Sequence, residues 1–141
     1  MTIQSQGART SGTTIANANF GIYPPSTVRA ALLEYSMIQV TGTASSYGLG
    51  RPATIGTPSG AVLFQTDDPG DAASVVNGHI TWSAQPTAPT IFHRRWNSAA
   101  TVGVGVVWTF PRGLIIAASG AVVGWNITAT VALDVNAVVD A

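Results

Sequence analysis

The sequence predicts an all-β fold, a single antiparallel β-sandwich whose strand count is best matched by a jelly roll. Three observations carry this. Val102, Val104, Val106, Trp108 and Phe110 alternate with Gly103, Gly105, Val107 and Thr109, and Val131, Leu133, Val135, Ala137 and Val139 alternate with Ala132, Asp134, Asn136, Val138 and Asp140. A period of two puts each set on one face of a strand. The third observation is that 15 glycines and 8 prolines punctuate 141 residues into short β-rich runs, with no convincing crossover helix between them.

Taken in order, the first dozen residues are rich in Ser, Thr, Gly and Gln. They are expected to form an extended N-terminal arm without a core of its own (1–12), ahead of one sandwich domain (13–141). Pro24-Pro25 marks the entry to residues 28–41, where the local signals conflict. Arg29-Ala-Ala-Leu-Leu-Glu34 has high helix propensity, whereas Ser36-Met-Ile-Gln-Val-Thr41 favours a strand. A strand is assigned, because a lone helix would interrupt a chain of short extended elements. Residues 61–65, 79–83 and 91–96 read as further short strands, separated by loops at Asp67-Asp68-Pro69-Gly70-Asp71 and Gln85-Pro86-Thr87-Ala88-Pro89. Pro111-Arg112-Gly113 is expected to break the strand that starts at Val102, with 114–117 as a short continuation. Ser119-Gly120 then turns the chain into 121–127, and the alternating run from Val131 closes it. Eight or nine strands result, and no fixed-period repeat is present.

Charge is scarce. Lysine is absent, and six arginines balance six acids, so 9% of the chain is charged where soluble domains carry about 25%. A net charge of zero removes the repulsion that keeps copies apart, and suits a subunit living inside an assembly. The same balance argues against nucleic acid, which requires a basic stripe longer than Arg94-Arg95. Residues 113–133 carry no charge and have about the length that spans a bilayer. Ser119-Gly120 in the middle, the polar Asn126, Thr128 and Thr130, and the short β-branched runs favour buried strands over a membrane span. The N-terminus lacks the apolar stretch of a secretory signal, so the protein is expected to be finished in the cytoplasm of the cell that makes it.

Catalytic chemistry has no anchor in the sequence. There is no cysteine and no Gly-x-Ser-x-Gly, and the two histidines, His79 and His93, fall in expected strands. No catalytic residue, cofactor or metal site is assigned, and the chain is not expected to be an enzyme. The Asp67–Asp71 loop resembles a hard-cation loop in composition but lacks its ligand spacing, so a solvated turn is the better reading. Gly48-Leu-Gly50 and Gly103-Val-Gly105 are not followed by a helix, as phosphate loops are; glycine inside a strand more often permits close approach of a neighbour. Asn126-Ile-Thr128 matches a glycosylation acceptor pattern without an export signal to give it meaning. Of the four tryptophans, Trp82, Trp108 and Trp125 read as core. Trp96 follows His93-Arg94-Arg95, a mixture of arginine and aromatic that interface centres favour. The interface candidates are therefore Arg51, Arg94, Arg95 and Trp96; a guanidinium fork can grip carboxylates or carbonyls of a neighbouring subunit. For Arg112 an intrachain bond pinning its loop is the better reading.

Tyr47-Gly-Leu-Gly-Arg-Pro-Ala53 and Trp108-Thr-Phe-Pro-Arg-Gly-Leu114, followed by Ser119-Gly, Trp125-Asn, Leu133-Asp-Val135 and Val138-Val-Asp140, resemble a group of small virion proteins of tailed bacteriophages and related prophage-like elements. The resemblance covers roughly the last two-thirds of the chain and rests on structural motifs. It implies a jelly-roll subunit that decorates or cements a capsid, or forms the base of a head fibre, often as a homotrimer. Its partners would be copies of itself and the major capsid protein or other virion proteins, and its location the virion. A tail or adhesion component and a carbohydrate-binding β-sandwich module are the alternatives.

Overall fold

The structure, a computed structural model, describes residues 2–12 and 17–141. The chain opens with β1 (Ile3–Arg9), β2 (Ala18–Tyr23), β3 (Ala30–Gln39) and β4 (Ser46–Gly50). Five strands of two to four residues follow: β5 (Thr57–Ser59), β6 (Val62–Leu63), β7 (Gln65–Thr66), β8 (Asn77–His79) and β9 (Thr81–Ala84). The second half supplies β10 (Arg94–Asn97), β11 (Gly105–Ile116), β12 (Val122–Asn126) and β13 (Leu133–Asp140). Among the described residues every regular element is a strand, and every strand pairing is antiparallel.

The strand order is that of a jelly roll. One sheet runs β11-β3-β13-β1-β7 and the other β10-β4-β12-β2-β8-β6. The first four strands pair with the last four in reverse, β1 with β13, β2 with β12, β3 with β11 and β4 with β10, and alternate between the sheets. This is one long hairpin rolled into a sandwich, with residues 51–93 as an insertion at its tip. Side chains from both sheets meet in the main core, where Phe20, Leu32, Tyr35, Met37, Tyr47, Leu49, Val122, Leu133, Val135 and Val139 are buried together.

The alternation of the last strand is realised as expected: Leu133, Val135, Ala137 and Val139 are buried and Asn136 is exposed. Residues 28–41 contain β3, with Leu33 and Glu34 at a register shift opposite Val138 and Val139. The pull of two flanking strands outweighs the local helix propensity, which amounts to tenths of a kcal/mol per residue. The Ser119-Gly120 turn is present, closed by Gly120 N–H donating to the Ala117 carbonyl at 2.8 Å.

Several expectations are corrected. Residues 3–9 are no arm: β1 lies between β13 and β7 and pairs with β13 along its whole length. Its inward side chains include Gln4 and Ala8, and Gln4 is buried as the acceptor of the Ser74 hydroxyl. A strand whose polar inner residues find partners needs few apolar ones, and composition does not reveal this. The strand expected from Val102 starts at Gly105; Gly103 has φ +86° and turns the chain, leaving Val102 65% exposed. Pro111-Arg112-Gly113 interrupts the pairing but not the strand. Thr109 faces Glu34 and Leu114 faces Leu32, so residues 110–113 bulge opposite Leu33. Residues 79–83 divide between β8 and β9, which belong to different sheets, and the strand expected from Ile91 begins at Arg94.

The insertion does two things. Its segment 62–66 passes from one sheet to the other, β6 pairing with β8 and β7 with β1, and drives Phe64 between them, closing that side. The rest covers the outer face of the second sheet. Trp82, Ala88 and Phe92 pack on Ala18, Tyr23, Ala121, Val123 and Trp125, a second, smaller core. The close approach needs glycine beneath it: a Cβ on Gly48 would lie 2.5 Å from the Phe92 ring, and one on Gly21 3.1 Å from Trp82. We expect Leu133→Ala to cost about 2–5 kcal/mol in chemical denaturation, and Val107→Ala, on the solvent side of β11, less than about 1 kcal/mol. Equal costs would contradict the assignment of the two faces.

Candidate assembly surfaces

Two surfaces stand out, and each follows from the roll. The first is the outer face of the β11-β3-β13-β1 sheet, which the insertion does not reach. The registers lay it out in rows across four strands: Gly105-Ile38-Asp134-Arg9, Val107-Ser36-Asn136-Gly7, Thr109-Glu34-Val138-Ser5 and Ile115-Ala31-Asp140-Ile3. Small side chains dominate, so the face is flat, and Ile3, Ile38, Val107 and Ile115 stand on it exposed. Charge is partly cancelled there. Arg9 Nε and Nη2 donate to the two Asp134 carboxylate oxygens at 2.7 and 2.8 Å, a bidentate pair between directly opposed residues. The hydrogen bond and charge of Arg9 hold the Asp134 carboxyl below its ordinary range.

The second surface is the open side of the sandwich, where the edge strands β10 and β11 lie. Arg51 leaves the end of β4 and bridges the two sheets: Nη2 donates to the Ile115 carbonyl and Nη1 meets His93 Nε2, each at 2.7 Å. Because a guanidinium only donates, His93 Nε2 must accept and the imidazole must be neutral. Partial burial, then the charges of Arg51 and Arg94, hold the His93 pKa below its ordinary value. Leu49 opposes Arg94 on β4, so Arg94 turns inward, its guanidinium 4.6 Å over the Phe110 ring and Nη1 donating to the His93 carbonyl at 2.9 Å. Arg95, opposite Gly48, points to the other face and lies 5.6 Å from the Phe92 ring centre. Trp96 is half-buried, its ring stacked on Tyr47 at 5.2 Å, and is held at the rim of the core. Arg112 sits on the bulge, lining with Arg94 a shallow cavity of about 380 Å³ floored by Phe110, Pro111, Gly113 and Leu114.

Of the four expected interface residues, the structure gathers Arg51, Arg94 and Trp96 along this side, with Arg95 beside them on the outer face. Arg112, expected to pin its loop, makes no hydrogen bond or ion pair among the described residues. The outer sheet face was not among the candidates; its positions in β13 and β1, Asp134, Asn136, Val138 and Asp140 with Ile3, Ser5, Gly7 and Arg9, alternate with the inward ones. The remaining motifs have structural uses. His79 Nδ1 meets the Ser59 carbonyl at 2.8 Å and its ring packs edge-on to Tyr23. Asn126 is fully buried and donates to the Val131 carbonyl at 3.1 Å. Trp82 Nε1 donates to the Tyr23 hydroxyl at 2.9 Å. Asp68 Oδ1 accepts the Gly70 N–H at 2.8 Å, closing a turn in the acidic loop. Among the described residues no group of three or more His, Asp or Glu could hold a metal ion, and no helix is long and apolar enough to cross a membrane.

No family model matches the chain, and no curated protein matches it. A solved structure, the decameric BFDV capsid protein, is 9% identical across 98% of this chain and 92% of that one, with a TM-score of 0.23. A superposition that poor shows neither a shared fold nor a shared function.

The His93 contact makes a pH-dependent prediction. A histidine whose folded pKa lies below its unfolded value, about 6.5, contributes stability that is fully present above that value and is lost as pH falls through the folded pKa. We expect the His93 ring to titrate below 6.5 by NMR and to move towards it in Arg51→Ala. A midpoint above 6.5 would contradict the contact.

Proposed function

We propose that this chain is a virion structural protein that decorates or cements a phage capsid, or forms the base of a head fibre, through contacts between subunits. Jelly rolls serve as capsid and as lectin domains, so the fold alone does not decide. The observation that carries the reading is the flat outer face of the β11-β3-β13-β1 sheet, where Arg9 pairs with Asp134 and Ile3, Ile38, Val107 and Ile115 stand exposed, while the insertion covers the opposite face of the sandwich. A flat face of small side chains suits burial against another protein surface, and repeated weak contacts around a symmetric shell add through avidity. The sugar-binding alternative is less well supported. It needs exposed aromatic platforms, and Trp108 and Trp125 are buried, Trp96 is stacked on Tyr47 and Trp82 lies on the second core.

The test is immunogold labelling of particles from a lysate that contains the protein. Label on heads is expected; label on tails would favour the tail alternative, and unlabelled particles would overturn the reading. The doubly substituted Ile38→Glu, Val107→Glu chain should lose occupancy on those heads while its melting temperature stays within a few degrees of the unsubstituted protein, because both side chains face solvent in the free subunit. Undiminished occupancy would remove the sheet face from the contact.

A further inference from the structure

The few charges of this chain are not scattered. Four of the six arginines, Arg51, Arg94, Arg95 and Arg112, lie along the open β10/β11 side, and among the described residues none of them forms an ion pair. Three of the six acids, Asp67, Asp68 and Asp71, sit in the loop that follows β7. That loop is at the far side of the same sheet. β7 is separated from β11 by β1, β13 and β3, four inter-strand steps, about 19 Å at the usual strand spacing. The loop is tied there by the Asp67 N–H donating to the Ile3 carbonyl at 3.0 Å and by the Ser5 hydroxyl donating to Asp67 Oδ1 at 2.7 Å. The two charged sides therefore cannot meet within one chain.

We infer that they meet between chains: the Asp67–Asp71 loop of one copy docks on the arginine side of the next, against Arg94 and Arg112. This rests on the assembly reading above and names the surface by which copies join each other, leaving the flat sheet face for the shell. The arginine side is built to receive carboxylates. Stacking on Phe110 and one bond to the His93 carbonyl fix the Arg94 guanidinium while leaving other in-plane N–H donors free, and Arg112 flanks the same cavity with no hydrogen-bond partner among the described residues. The donor loop is built to enter it. Pro69-Gly70 forms its tip, and among the described residues the Asp71 carboxylate makes no hydrogen bond or ion pair. Two different patches in contact make a heterologous interface, which closes into a ring when the rotation between neighbours divides a full turn. A homotrimer satisfies this.

Charge reversal tests the inference by sedimentation velocity of the full chain in about 50 mM and about 500 mM salt. The unsubstituted protein should associate more weakly at high salt. Arg94→Glu with Arg112→Glu, and separately Asp71→Arg, which leaves the Asp67 anchor to Ser5 intact, should each weaken association at least about tenfold, with unchanged circular dichroism. Arg112→Glu alone, at a side chain with no hydrogen bond or ion pair among the described residues, guards against misfolding and should weaken it in the same direction. The chain carrying Arg112→Glu together with Asp71→Arg should recover association, because the complementarity is exchanged and not lost. Failure of recovery in a folded chain would overturn the docking, as would a loop reversal without effect, which would point to a different acidic partner for the arginines. Unchanged oligomers in every variant would also overturn it and leave the assembly reading standing. Head labelling together with a monomeric unsubstituted chain would do the same.

Discussion

The sheet made of β10, β4, β12 and β2 is buried on both sides over its central strands, and the rest of the molecule is arranged around that constraint. Val122, Val123, Trp125 and Asn126 have no exposed surface, nor do Phe20 and Ile22. A strand covered on both faces must divide its side chains between two cores, and here one set fills the sandwich while the other lies under the insertion. That overlay requires glycine at positions 21 and 48, where rings rest on the backbone. It also explains the asymmetry of the molecule: chain spent covering one outer face cannot cover the other.

The parts of this design that were legible are those with one wet face. β13 and the stretch from Val106 to Phe110 alternate because one side of their sheet meets water, and the expected strands match them. β2 and β4 left no such trace. Ala18–Tyr23 is buried throughout, so its residues follow packing in two cores and show no period, and two of the five residues of β4 are glycine. β1 was hidden for a different reason, since its buried Gln4 is satisfied by Ser74 from a distant loop. Among the interface candidates, Arg94 and Trp96 fall with Arg51 on the open side of the sandwich, while the placement of Arg112 was not legible because the bulge presenting it depends on the register against β3.

Buried polar groups hold the loops around the roll. Gln39, at the end of β3, donates to the carbonyls of Ala99 and Thr101 at 3.0 and 3.2 Å and accepts from the Tyr47 hydroxyl at 2.7 Å and from Ser98. One amide thereby fixes the connection between β10 and β11. The Tyr35 hydroxyl reaches Asn19 and the Phe20 carbonyl across the core, and its full burial raises its pKa well above the ordinary phenol value. Such contacts are worth about 1 kcal/mol each when made, but leaving one partner orphaned costs more. They fix geometry more than they add stability.

The reverse-order pairing has a kinetic consequence. Ile3 stands opposite Asp140, and each enclosing strand pair joins segments farther apart in the chain than the pair inside it. Chain closure over such separations must be completed before most native contacts exist, which places the protein among slow, non-local folders, with times of about milliseconds to seconds. During synthesis the first strands emerge long before their partners, and β3, β4 and their apolar faces stay unpaired until the second half of the chain is released. A chain this low in charge is then most exposed to mispairing while nascent, with apolar strands and free edges waiting for partners that have yet to be made.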